Sequence, residues 1–133
     1  MAGERQSFEW SPRYALGDDR LDGEHRNFFR LLEELHRAVE AGRGEEVLKK
    51  LHAALREYAR VHFRDEEAWL AQAGYPGLQQ QIREHGSFLH QLKELPVSGP
   101  GAPAALAFMR DWLVEHILGT DQQFVAWRVR RGD

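Results

Sequence analysis

The chain has 133 residues, a length that predicts one domain with a single core. Its net charge of −3 disfavours binding to a nucleic-acid backbone, and the absence of cysteine excludes disulfides and sulfur-ligated metals. We see neither the pattern of a signal peptide nor an apolar run long enough for a membrane span, so we expect a soluble, cytoplasmic protein.

Four segments show the apolar spacing of amphipathic helices. In the first, expected at about 19–41, Leu21, Phe28, Leu32 and Leu35 recur at helical intervals on one face. Further helices are expected at about 45–71, 76–95 and 102–128, because glycine and proline interrupt the pattern between them. The sequence therefore predicts an all-α, up-down-up-down four-helix bundle, a single domain over 1–133 with an irregular N-terminal arm over 1–17.

Polar residues interrupt the apolar face of every predicted helix. A lone histidine on such a face is usually a hydrogen-bonded core residue, and a lone glutamate or glutamine is usually on the surface. Here all four helices contribute, and buried imidazoles and carboxylates need partners or a metal. Helix bundles build metal sites from facing side chains of this kind. The candidate ligands are His25, His62, Glu66, Gln81, His85, His116 and Asp121.

The donor types indicate which metals would fit. Imidazole and carboxylate without thiolate suit iron, manganese or zinc, and carboxylates shared among four histidines favour two metals over one. The remaining histidines, His36, His52 and His90, fall off the apolar faces. His90 comes five residues after His85, roughly 140° round a helix, and is the one reserve ligand among them.

The motifs together resemble the hemerythrin family, specifically the bacterial single-domain hemerythrins. The resemblance rests on "FEW" (8–10), "LDGEHRNFFRLLEEL" (21–35), "YARVHFRDEEAWLAQAGYP" (58–76), "REHGSFL" (83–89) and "DWLVEHILGTD" (111–121). An isolated histidine, HxxxE, HxxxH and HxxxxD follow one another in that family. The resemblance implies a four-helix bundle around a non-haem di-iron centre that binds oxygen reversibly.

The resemblance also implies a role for each candidate ligand. His25 and His62 would hold the iron that takes oxygen, and His85 and His116 would hold the second iron. Glu66 and Asp121 would bridge the two irons together with an oxo or hydroxo group. Manganese, or a mixed pair of metals, is an alternative to two irons.

Gln81 departs from the family pattern, because it stands where the second iron should have a third histidine. Its carbonyl oxygen is a weaker donor than imidazole, and it could bind the metal directly, bind through a water, or stay off the metal. Each alternative gives the second iron a looser shell, with a further open position as one outcome.

The leading interpretation is an oxygen-binding protein for storage, delivery or sensing, acting as a monomer without nucleic-acid or membrane partners. The alternative is a di-iron enzyme with peroxidase- or oxidase-like activity through the extra open position. Binding is favoured because we identify no general acid or base beyond the ligands. A third interpretation, a degenerate bundle serving as an interaction domain, is disfavoured by the six retained ligands.

Overall fold

The computed structural model describes residues 10–96 and 101–132, where all regular secondary structure is helical. The long helices are α1 (Asp19–Glu40), α2 (Gly44–Ala73), α3 (Leu78–Glu94) and α4 (Ala102–Glu115). A π-helical turn, His116–Asp121, continues α4 into α5 (Gln122–Arg130), and these three segments form the fourth rod of the bundle. The all-α prediction is confirmed.

Consecutive rods run in opposite directions. The start of α1 meets the end of α2, where the Arg20 guanidinium lies 3.0 Å from the Asp65 carboxylate. His52, in the first half of α2, lies 2.8 Å through Nε2 from the carbonyl oxygen of Leu92, near the end of α3. α1 also packs against α4. The connections are short, so the arrangement is up-down-up-down.

Local sequence sets the helix ends. Asp18 caps α1 by accepting a hydrogen bond from the Leu21 amide at 3.0 Å. Gly74 caps the C-terminal end of α2, with a φ of 71° that is readily available only to glycine. α3 begins at Leu78, two residues after the expected start, because the chain turns there and the Leu78 amide bonds Tyr75 O at 3.3 Å.

The N-terminal arm, where it is described, packs on the bundle. Residues 1–9 of the predicted arm lie outside the described residues. Tyr14 and Leu16 are buried, and the Leu16 amide donates to Asp22 Oδ1 at 2.8 Å. Gln122 donates to the Ala15 carbonyl at 3.1 Å, which ties the arm to α5. None of the helices in the described ranges is long and apolar enough to cross a bilayer.

The π-helical turn decides which residues of the fourth rod face the bundle axis. Two residues five apart in an α-helix point roughly 140° away from each other. A π turn bonds residue i to i+5, so it brings such a pair onto one face. His116 and Asp121 are accordingly both buried, with exposures of 4% and 1%.

Two glycines give a matched test of local packing. A Cβ at Gly119, an exposed position in the π turn, would meet nothing within 4 Å, whereas a Cβ at Gly44 would lie 2.7 Å from Val39 Cγ2 and 3.0 Å from Ala102 Cβ. We expect Gly119→Ala to raise the free energy of unfolding by about 0.5–1 kcal/mol. Gly44→Ala should lower it by about 1–3 kcal/mol. Urea unfolding measures both, and a large loss for Gly119→Ala would contradict the geometry of the turn.

Candidate metal centre

The structure brings the seven candidate ligands together at the bundle axis. α1 supplies one, α2 two, α3 two and the π turn two, so all four rods contribute. Each side chain is at most 4% exposed. They are His25 on α1, His62 and Glu66 on α2, Gln81 and His85 on α3, and His116 and Asp121 on the π turn.

One half of the cluster is built from the histidines of α3 and the π turn. The Nε2 atoms of His85 and His116 lie 3.1 Å apart. Glu66 Oε1 is 2.9 Å from the His85 Nε2 atom, and Asp121 Oδ1 is 3.1 Å from the His116 Nε2 atom. Four donor atoms from three helical rods therefore converge on one point.

The Nδ1 atoms of these two imidazoles face carboxylates, which sets the tautomer of each neutral ring. His85 Nδ1 lies 2.7 Å from the Glu67 carboxylate, and His116 Nδ1 lies 2.9 Å from the Glu84 carboxylate. A nitrogen that faces a carboxylate carries the hydrogen, so Nε2 of the neutral ring presents a lone pair to the cluster. Lone pairs of two imidazoles and two carboxylates repel one another unless protons or a metal ion lie between them.

The other half of the cluster lies between α1 and α2. Ligand atoms of His25, His62 and Glu66 lie within 4.8 Å of one another. His62 Nδ1 is 2.6 Å from Glu24, which again turns Nε2 inward, and this Nε2 has no hydrogen-bond partner. Asp121 Oδ2 is 3.9 Å from His25 Nε2. Glu66 thus belongs to both halves, and Asp121 directs one oxygen to each.

Buried polar atoms without partners mark the same place. An unsatisfied buried donor or acceptor costs about 1–3 kcal/mol, so several in one cluster call for a ligand. Nitrogen and oxygen donors without sulfur fit iron, manganese or zinc. The atoms without hydrogen-bond partners in this cluster are His25 Nδ1, His62 Nε2, both carboxylate oxygens of Glu66, Gln81 Oε1 and Asp121 Oδ2.

The pKa values of the buried histidines show that a proton can take the place of a metal cation in the cluster. Burial and the neighbouring His62 lower the pKa of His25 to about 3. Burial also acts to lower the pKa of His116, but the carboxylates of Asp121 and Glu66 outweigh it and raise that pKa to about 11. His116 therefore holds a proton at neutral pH, and a metal ion that binds its Nε2 must displace that proton.

Gln81 lies inside the cluster with no exposed surface. Its Nε2 donates a hydrogen bond to Asp121 Oδ1 at 2.9 Å, while its Oε1 has no partner. The amide therefore contacts a carboxylate that directs an oxygen to each half of the cluster.

Comparison with known proteins agrees with this geometry. A family model described as the hemerythrin HHE cation binding domain matches residues 16–127. The chain belongs to the hemerythrin family. The bacteriohemerythrin of Clostridium acetobutylicum is 29% identical to it, over 89% of this chain and 98% of that relative. The myohemerythrin of Riftia pachyptila is 30% identical over 88% and 90%, and a hemerythrin-like protein of Naegleria gruberi is 26% identical over 88% and 90%.

Three carboxylates outside the predicted ligand set hold the histidines of this hemerythrin centre. Glu24, Glu67 and Glu84 each stand next to a candidate ligand in sequence, yet each bonds the histidine of the following helical rod. Adjacent residues on a helix point about 100° apart, so the neighbour of an inward ligand points toward the next helix. His25 has no such partner, since its Nδ1 is unbonded.

Aromatic rings cover the α3 and π-turn side of the hemerythrin centre. Phe63 stacks on His85 with ring centroids 4.0 Å apart, and Trp112 stacks on His116 at 4.5 Å. These rings fix the imidazole planes and keep water from that side of the cluster.

The other histidines of this hemerythrin-family chain lie away from the centre. His36 Nε2 is 3.5 Å from the Glu40 carboxylate on α1, and His52 contacts the Leu92 carbonyl. His90 is exposed, so it cannot serve as the reserve ligand.

The carboxylates that hold the histidines should raise metal affinity. We expect Glu24→Gln, Glu67→Gln and Glu84→Gln each to weaken metal binding about 10–100-fold, because a neutral amide polarises and orients the imidazole less than a carboxylate does. Competition with a chromophoric chelator measures this. Glu57→Gln is the matched control, since Glu57 is exposed and pairs with Arg60. Equal affinities in all four variants would contradict the assignment.

Proposed function

We propose that this chain is a non-haem di-iron protein that binds dioxygen reversibly, for storage, delivery or sensing. One observation carries the proposal: two pairs of buried imidazoles share Glu66 and Asp121, and at one pair neighbouring nitrogen and oxygen ligand atoms lie about 3 Å apart. Glu66 and Asp121 would be the carboxylates that the two irons share. His25 and His62 would hold one iron, and His85 and His116 would hold the other.

The surrounding residues support binding over turnover. Iron, when bound, supplies the redox change that reversible oxygen binding requires. The chain contributes a buried cluster, imidazoles oriented by carboxylates, and a wall formed by Phe63 and Trp112. These groups would hold the metal ions and shield them from water. The relatives named bacteriohemerythrin and myohemerythrin lend the same support.

The proposal includes an atypical second iron position. Gln81 stands where an imidazole would complete the shell, so the metal at His85 and His116 should be held more weakly than a third histidine would hold it. Gln81→His should therefore slow the removal of one metal by a mild chelator. Full retention of both metals in the wild type, with no change in Gln81→His, would contradict this part of the proposal.

A di-iron enzyme with peroxidase- or oxidase-like activity is the second candidate function. The observation that favours it is the hydrogen bond from Gln81 to Asp121, because an amide engaged there leaves room at the second metal for a reactant.

Oxygen addition to the reduced, iron-loaded protein tests the proposed function and separates the two candidates. Reversible binding predicts a visible absorption band that forms on adding oxygen and disappears on degassing. Rapid, irreversible oxidation without such a band would favour the enzyme. Absence of any response to oxygen would contradict both. Manganese loading is the matched test of metal identity, and cytoplasmic location and the monomeric state stay predictions.

A further inference from the structure

We propose that Gln81 acts on the centre as a positioning residue for Asp121 and is not a metal ligand. Each metal position would then have two histidines and the two shared carboxylates as its protein ligands. The inference rests on the proposed function only in requiring that two metals bind.

The Gln81 amide directs its nitrogen toward Asp121. Its Nε2 lies 2.9 Å from Asp121 Oδ1. An amide nitrogen donates hydrogens and has no free lone pair for a metal, whereas the carbonyl oxygen could ligate. Turning the amide over would place that oxygen against a carboxylate oxygen, and two acceptors at this distance repel. The contact with Asp121 therefore fixes the nitrogen toward the cluster.

Asp121 directs one carboxylate oxygen to each side of the centre. Oδ1 is 3.1 Å from His116 Nε2 on one side of the centre, and Oδ2 is 3.9 Å from His25 Nε2 on the other. Within the described part of the chain, Gln81 gives the Asp121 carboxylate its one hydrogen bond from an uncharged donor. That bond selects which oxygen faces which histidine pair. Loss of the bond would thus disturb both metal positions, although the bond itself is made to Oδ1, the oxygen on the His116 side.

Without Gln81 as a ligand, the position at His85 and His116 has the same donor types as the position at His25 and His62. Each position then has room for a small exogenous ligand. The centre should accept a small anion such as azide at both metals, and a third histidine at position 81 should close one of them.

Metal titration separates positioning from ligation. Gln81→Leu removes the amide, Gln81→Met keeps an unbranched shape that guards against a packing defect, and Gln79→Leu is the control on an exposed turn of α3. If Gln81 positions Asp121, we expect Gln81→Leu and Gln81→Met to weaken both cobalt(II)-binding steps by about tenfold each. Gln79→Leu should bind cobalt(II) as the wild type does. Weakening of one step alone, or of neither, would overturn the inference.

Azide titration of the diferric protein supplies a readout that a purely structural role would not change. We expect the wild type to bind two equivalents of azide, by visible absorption, and Gln81→His to bind one. One equivalent in both proteins would overturn the inference while leaving the proposed function intact. A wild-type chain that does not bind two metals would overturn the proposed function and the inference together.

Discussion

Replacement of Glu66 by Gln should abolish binding of both metals while the bundle remains folded. Glu66 is 1% exposed and is the carboxylate shared by both ligand groups. Burial acts to raise its pKa, but the imidazoles of His116 and His85 outweigh burial and hold that pKa well below the usual range. The amide of glutamine has the same shape as this carboxylate, but it is neutral and cannot supply the negative charge that both metals share. We expect each metal-binding constant to fall more than about 100-fold.

Metal content by mass spectrometry, together with the far-ultraviolet circular dichroism of the helices, measures this result. Glu57→Gln is the control, because it makes the same chemical change on an exposed face of the same helix. His85→Ala is a second comparison, and it should affect one metal position more than the other. Two tightly bound metals in Glu66→Gln would show that the shared carboxylate has been wrongly assigned.

Removal of the metals should lower the thermal stability of the protein strongly. In the metal-free protein, buried acceptor atoms such as His62 Nε2 and Asp121 Oδ2 lose the cation that would satisfy them. Ligand linkage gives about 4 kcal/mol of stabilisation for each site at a thousandfold excess over its dissociation constant. Two sites should therefore raise the melting temperature of a chain of this size by more than about 10 °C.

Calorimetry before and after chelation, with metal returned at the end, checks this expectation. Glu66→Gln should melt at the same temperature with and without metal. The rise in melting temperature caused by metal should shrink as the pH falls, because His116, whose pKa is raised to about 11, must give up a proton to bind metal. An unchanged melting temperature for the wild type on chelation would contradict the account.

The sequence pattern predicted the bundle because apolar residues at helical spacing over long segments indicate helices that bury this face against one another. The candidate ligands followed for the same reason, as polar interruptions of those faces. His90 and Asp121 show where the pattern stops, since each lies five residues after a histidine. α3 stays α-helical and leaves His90 exposed, whereas the π turn buries Asp121. Residue periodicity assumes one helix geometry and does not reveal such a turn, although it already placed Asp121 among the candidate ligands.

Contacts between helices were the least predictable part of the site. Glu24, Glu67 and Glu84 bond histidines on the following rods, and that pairing depends on the rotation of one helix against another. The hydrogen bond from Gln81 to Asp121 also crosses between rods. A pattern within one helix fixes which face is buried, but it does not fix which atom of a neighbouring helix that face meets.

The number of metal ions in one folded chain tests the central claim most directly. Native mass spectrometry of the iron-loaded protein counts them without assuming a spectrum or an activity. The account predicts a main species with two irons per chain, which Glu66→Gln lacks. A wild-type chain that takes up one iron or none at saturating metal would contradict the two-metal centre.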